Sequence, residues 1–258
     1  MLDAYLYLGK RSPFGRYGGA LSGVRPDDLL GDVIKSVVDE GPFNAEDIDD
    51  VIVGCGNQGG EDARCVARHA LLSAGLPESV PGQVLQRNCA SGLSAVVSAA
   101  HAVTVGEGDL FMAGGVESMS RAPWSMPKPL RTPTTAPPKI YDTTVGWRYE
   151  NPKMNELYPI ISLGEGAELI AEDMQITREE QDSFALESHA RAITAINKGR
   201  FKDEIVAVKV PQRKGEPPKV TVRAAVELDG LTADAARAIA PALQRSIAEL
   251  AGVGPEQA

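Results

Sequence analysis

Cysteine is scarce: only Cys55, Cys65 and Cys89 occur in 258 residues. An odd, sparse count argues against a disulfide framework and fits a reducing compartment. No CxxC pair is present, and His69, His101 and His189 are the only histidines, so no zinc or other metal site is expected. No run of eighteen apolar residues occurs, so no membrane span is expected. Met1 to Gly15 lacks the charged start and apolar core of a secretion signal, and a cytoplasmic location follows as an expectation. A basic surplus is missing too. The formal net charge is −9, which argues against a general nucleic-acid binder but leaves room for an anionic ligand on a local basic patch.

What is present is ordinary for a globular chain: 43% hydrophobic and 24% charged residues, enough for one large domain or two modest ones. Asp3 to Leu8 reads as a strand. Pro26 to Glu40 reads as a helix, with Leu29, Leu30, Val33, Ile34 and Val37 on one face. Ile48 to Val53 reads as a buried strand, Ala63 to Ala74 as a helix, and Val84 to Gln86 as a strand. Leu93 to Val105 is apolar or small all round, the pattern of a helix buried on every side. Leu110 to Ala113 is a further strand. This alternation predicts an α/β fold with a mostly parallel sheet.

Near Arg121 the character changes. Eight of the 18 prolines lie between Pro123 and Pro159, which excludes a central sheet or a long helix there. Helix is predicted again over Gly164 to Met174. Another begins at Thr177, where Glu180 completes a capping box. Its apolar stripe comprises Ala185, His189, Ala192, Ile193 and Ile196, and Gly199 stands at its end. Ile205 to Val210 reads as a strand, Lys214 to Pro218 as a turn, and Thr232 to Ala251 as a helix kinked at Pro241.

The segment Arg87-Asn88-Cys89-Ala90-Ser91-Gly92 carries the chemistry. It lies where a strand meets the apolar helix, so Cys89 faces the positive end of the helix dipole, which stabilises an anionic sulfur nucleophile. Ala90, Ser91 and Gly92 leave room for a thioester, and the N–H groups of the first turn can meet an oxyanion. By position alone, a buried structural cysteine is an equally good reading. His69, His101 and His189 read as packed histidines, and Cys55 and Cys65 as buried bystanders. Gly114 and Gly115 suggest close backbone approach near a ligand. Between Lys198 and Arg223 eight basic residues face three acidic ones. This is either a solvated surface or a seat for phosphates, with Arg213 and Lys214 as first choices because they flank a turn.

The Cys89 segment resembles the nucleophile motif of thiolases. So do Arg11-Ser12-Pro13-Phe14-Gly15, Gly54-Cys55-Gly56-Asn57-Gln58, Gly60-Glu61-Asp62, and the specific run Ala113-Gly114-Gly115-Val116-Glu117-Ser118-Met119-Ser120. Asp142-Thr143-Thr144-Val145-Gly146-Trp147, Arg178-Glu179-Glu180-Gln181-Asp182 and Gly199 to Ile205 continue the likeness, which covers roughly residues 2–215. The resemblance implies the first βαβαβαββ half of the thiolase fold, with a mixed, mostly parallel sheet, in residues 1–120. An α-rich loop domain covering coenzyme A would occupy 121–222, and a divergent helical tail 223–258. It implies acyl transfer through Cys89 in thiolysis of a 3-ketoacyl-CoA or the reverse Claisen condensation. Coenzyme A and acyl-CoA would be substrates, contacted by Ser162, Leu163, Arg213 and Lys214, with no permanently bound cofactor. The full-length form would be a homo-oligomer, dimer or tetramer. Within the family, the Gly-Asn-Gln and Asp-Thr-Thr-Val-Gly-Trp stretches look most like 3-oxoadipyl-CoA thiolases of aromatic catabolism.

The chain also departs from that family. Leu163 replaces an expected methionine, and Gly166 an expected threonine, which predicts a weakened helix start. The Gly-Asn-Ala-Ser, Asn-Glu-Ala-Phe, Gly-His-Pro and Cys-x-Gly-Gly-Gly segments do not occur in these 258 residues. The chain alone is therefore expected to turn over poorly. A competing class is a non-catalytic acyl-CoA-binding or assembly protein that keeps this half for packing. A related condensing enzyme is a third reading, which the Ala113–Ser120 run disfavours.

Overall fold

The computed structural model describes residues 3–129, 137–212, 216 and 218–221. By contacts the chain divides into Met1–Arg223 and Ala224–Ala258, and all described residues fall in the first unit. The expected tail helix and most of the expected turn at 214–218 lie outside the described residues.

Helix α1 (Pro26–Glu40) occupies the expected span, with Pro26 at its first position. Strand β1 (Asp50–Gly54) follows, then α2 (Val66–Ser73), β2 (Gly82–Leu85), α3 (Ser91–Val105) and β3 (Phe111–Gly115). The three strands form a parallel sheet in the order β2-β1-β3, with Val53 opposite Val84 on one side and Gly114 on the other. Alternation along β1 sorts its side chains between two layers. Val51 and Val53 enter a cluster with Leu30 and Ile34 of α1 and with Val66, Ala70 and Leu71 of α2. Ile52 points the other way, onto Ala95 and Ala99 of α3.

The structure corrects two expectations here. Residues 3–8 form no strand, and Tyr5 is 92% exposed. An extended segment becomes a strand only when a neighbouring edge pairs with it, and no described edge does. Helix α3 is buried on one side only: Ser91, Ala95, Ala99 and Ala102 are buried, whereas Leu93 is 70% exposed and Val97 and Val105 are also exposed. By length and composition the stretch 88–105 could cross a membrane; its small-residue face instead packs on the sheet. All-round apolarity specifies that a helix can be covered, and a covering layer is a tertiary matter.

The proline-rich region carries only short elements: β4 (Trp124–Ser125) paired antiparallel with β5 (Tyr141–Asp142), and α4 (Pro152–Leu157). Helices α5 (Leu163–Asp173) and α6 (Arg178–Asn197) follow, neither with a buried residue. The stripe read on α6 is thus uncovered among the described residues. Gly199 adopts φ +68 just beyond α6, as its position suggests. The hairpin of β6 (Val208–Val210) and β7 (Lys219–Thr221) returns to the first region, where Val208 and Val210 pack with Val24, Leu21 and Leu29. Arg11 binds Glu204 there by backbone and side chain.

Candidate active site

Cys89 stands on the turn that joins β2 to α3, and its side chain is exposed. The turn is tight. Asn88 takes φ +47, a left-handed conformation that asparagine tolerates better than most residues. The Ala90 N–H bonds the Arg87 carbonyl at 3.0 Å, and the Ser91 N–H bonds the Asn88 carbonyl at 3.1 Å. The buried Ser91 hydroxyl adds a clamp: it donates to the Asn88 carbonyl at 2.7 Å and accepts from the Arg87 N–H at 2.8 Å.

The floor beneath this turn is made of glycine. A side chain at Gly54 would collide with the Ser91 and Gly92 backbone, and one at Gly115 would come within 3.3 Å of Gly92 Cα. The ends of β1 and β3 therefore let the start of α3 lie directly on the sheet, which fixes the height of Cys89 above it. Of the two glycines picked out at 114 and 115, only Gly115 makes this approach; Gly114 has open space.

The walls come from two loops. Gln86 donates through Nε2 to the Gly56 carbonyl at 3.2 Å and to Asn88 Oδ1 at 3.0 Å. The Gly56 N–H donates to Glu117 Oε2 at 2.8 Å, so the Ala113–Ser120 segment holds the loop that holds Asn88. Burial pushes the Glu117 carboxyl above its ordinary range, against the pull of the Gly56 N–H. Cys55 lies beside it, buried, and burial together with the Glu117 and Asp62 charges pushes its thiol up to about 12. It is a neutral thiol at ordinary pH. Cys55, Asp62 and Glu117 present ligand atoms within 4.8 Å of one another, a group that the spacing of the sequence did not suggest. The two carboxylates already accept backbone N–H groups, from Gly60 and Gly56.

The second region reaches this wall through Asn57. Its Nδ2 donates to the Thr143 carbonyl at 3.0 Å and hydroxyl at 3.2 Å, and Arg148 Nη2 donates to its Oδ1 at 3.4 Å. Trp147 Nε1 donates to the Ile161 carbonyl at 2.8 Å, next to the start of α5.

Of the other expected site residues, Ser162 and Leu163 stand at the start of α5. Ser162 caps α5: its hydroxyl accepts from the Glu165 N–H, and Glu165 Oε2 accepts from the Ser162 N–H at 2.6 Å. The helix start weakened by Gly166 is thus secured by Ser162 and Glu165 instead. Leu163 is 85% exposed. Arg213 and Lys214 lie outside the described residues. His69, His101 and His189 are exposed and not packed, and Cys65 is half-buried, its thiol donating to the Gly82 carbonyl. Each histidine lies on the uncovered side of its helix, so apolar neighbours in sequence did not enclose it.

Sequence reading missed the Gln86–Asn88 bond, the Ser91 clamp and Arg148. Proximity to the Cys89 and Trp147 motifs was the only available signal for these.

The family model for the thiolase N-terminal domain matches residues 6–248. A beta-ketoadipyl-CoA thiolase of Escherichia coli is 50% identical over 216 residues, covering 83% of this chain and 54% of that protein. A 3-oxoadipyl-CoA/3-oxo-5,6-dehydrosuberyl-CoA thiolase of Escherichia coli strain K12 is 49% identical over 216 residues, with the same coverage of 83% and 54%. Among solved structures, the acetyl-CoA acetyltransferase of Bacillus anthracis matches with a TM-score of 0.75 and 34% identity, over 87% of this chain and 55% of that one. The chain spans about half the length of the curated relatives it matches.

Proposed function

The chain belongs to the thiolase family, and from that premise we propose that it is the nucleophile-bearing half of an acyltransferase acting on 3-oxoadipyl-CoA. The observation that carries this reading is the exposed Cys89 on a clamped turn at the start of α3, set on the glycine floor of Gly54 and Gly115. Its sulfur attacks the keto carbon of the substrate, and the developing oxyanion meets the N–H groups at the start of the helix. The bond between the keto carbon and the carbon next to the thioester then breaks. That carbon takes up a proton, acetyl-CoA leaves, and the succinyl group stays on sulfur. A second coenzyme A collects it as succinyl-CoA and returns the proton balance. Run backwards, the sequence is a Claisen condensation.

Residues 1–120 supply the nucleophile in this reading and 121–222 cover coenzyme A, with Ser162, Leu163, Arg213 and Lys214 as its contacts. The exposed apolar face of α3 is the surface on which a second thiolase half would pack. The working form is a cytoplasmic homo-oligomer without a permanently bound cofactor. The histidine and second cysteine that the resemblance implies for proton transfer are not among these 258 residues, so the chain alone acylates and turns over poorly.

Acylation can be measured directly. The chain is incubated with 3-oxoadipyl-CoA, digested, and mapped by mass spectrometry. The expected product is a succinyl group on Cys89, absent from Cys89→Ser. A succinyl group on Cys55 or Cys65, or unchanged labelling in Cys89→Ser, would overturn the assignment.

A further inference from the structure

Arg148 differs from the other half-buried arginines. Arg11 pairs with Glu204, Arg121 pairs with Glu61, and Arg68 donates to the carbonyls of Val80 and Glu78. Arg148 has only two long contacts to neutral oxygens: Asn57 Oδ1 at 3.4 Å and the Gly146 carbonyl at 3.5 Å. Among the described residues no carboxylate pairs with it. A guanidinium withdrawn from water without an anion is unfavourable, and its planar fork of donors matches a carboxylate.

The backbone on either side of Arg148 is constrained. Gly146, two residues before it, takes φ +90, and Tyr149, the next residue, takes φ +53, an unfavourable conformation for tyrosine. Tyr149 is held by its ring against Tyr141, with centroids 4.8 Å apart. From the other side, the amide nitrogen of Asn57 is committed to Thr143, which turns its oxygen toward Arg148. Asn57 follows Gly56, where an added methyl would lie 3.7 Å from the Asn88 carbonyl, and Asn88 precedes Cys89. The short loop of residues 55–57 thus touches both the guanidinium, through Asn57, and the turn that carries the sulfur, through Gly56.

We propose that Arg148 is a specificity-determining residue that seats the terminal carboxylate of a dicarboxylic acyl group held at Cys89. The proposal rests on the acyl-CoA reading above and adds what selects the acyl group. In a succinyl group on sulfur, the free carboxylate lies three carbon–carbon bonds beyond the thioester carbon, and that is the span the proposal requires between the sulfur and the guanidinium. A butyryl group has the same length but ends in a methyl, so it would leave the guanidinium unpaired.

Protection of Cys89 from iodoacetamide tests this without requiring turnover. The chain is titrated with succinyl-CoA or butyryl-CoA, and alkylation at Cys89 is quantified by mass spectrometry. Succinyl-CoA is expected to protect at roughly ten- to hundredfold lower concentration, the range of a charge-assisted hydrogen bond. Arg148→Gln should remove most of that preference, and Arg148→Lys, which keeps the charge without the fork, should retain part of it. Circular dichroism checks that both variants fold. Equal protection by the two thioesters in the unsubstituted chain, or a preference that survives in folded Arg148→Gln, overturns the assignment and leaves the acyl-CoA reading standing. If neither thioester protects Cys89, the acyl-CoA reading falls and the assignment with it.

Discussion

The two regions of this chain solve the same problem differently. The sheet with α1 and α2 buries its apolar faces within itself: Val51, Val53, Val66, Ala70 and Leu71 are all sealed in one cluster. Beyond Arg121, α5 and α6 have comparable apolar residues and bury none of them. These helices are held by local devices, namely the capping boxes at Ser162–Glu165 and Thr177–Glu180 and the i,i+4 pairs Arg178–Asp182 and Arg191–Glu187. Local devices specify where a helix begins, but contribute only tenths of a kcal/mol to about 1 kcal/mol each. Burial contributes several times more per residue. The first region is therefore expected to unfold as the cooperative unit, and α6 to open at lower free energy.

The largest effect should come from the sealed cluster. Leu71→Ala removes a fully buried side chain between α1, α2 and the sheet, and should cost about 3 kcal/mol in urea unfolding. Phe184→Ala on α6, at a position 76% exposed, should change stability by less than about 0.5 kcal/mol. Equal costs would show that α6 is packed in solution and would break the contrast.

A smaller effect tests the local devices. Thr177→Ala removes the hydroxyl that accepts from the Glu180 N–H and should cost about 1 kcal/mol. Hydrogen exchange should show that loss confined to the first turns of α6, with the protection of β1 unchanged. Loss of protection in both would mean that the two regions unfold as one.

The smallest effect concerns the pin between them. Glu61 binds Arg121, and this guanidinium, with Arg25, holds the Glu61 carboxyl below its ordinary range in spite of partial burial. A depressed carboxylate stabilises the fold above its unfolded value, and the contribution is lost as pH falls through the folded one. Both partners are partly solvent-exposed, so screening limits the pair to about 1 kcal/mol. Glu61→Gln should lower stability by that amount at pH 7 and by less at pH 3. An unchanged difference at both values would remove the ion pair from the account.

Local signals were legible wherever the determining atoms are neighbours in sequence. The span of α1, the Thr177–Glu180 box, Gly199 and the β2–Cys89–α3 junction were readable for that reason. The three-strand parallel sheet followed from the alternation of apolar strands and helices. Resemblance carried the family, and the similarity to characterised thiolases bears it out. Strand pairing at residues 3–8, burial all round α3 and packed histidines were expected and are not found. Each of those depends on a partner surface that lies elsewhere in the chain or outside it.

By itself the sequence determined the periodicities, the caps, the glycines and the one cysteine placed between a strand and an apolar helix. These follow from bonded geometry and interactions within a few residues. Only the tertiary structure decided that Gly54 and Gly115 form a floor under Ser91 and Gly92, and that Glu117 reaches Gly56 from 61 positions away. It alone set Arg148 against Asn57 across 91 positions without a carboxylate partner. Side-chain periodicity specifies which face of an element is apolar or charged. Which groups meet across that face depends on how the chain closes its loops, and sequence spacing does not encode that distance.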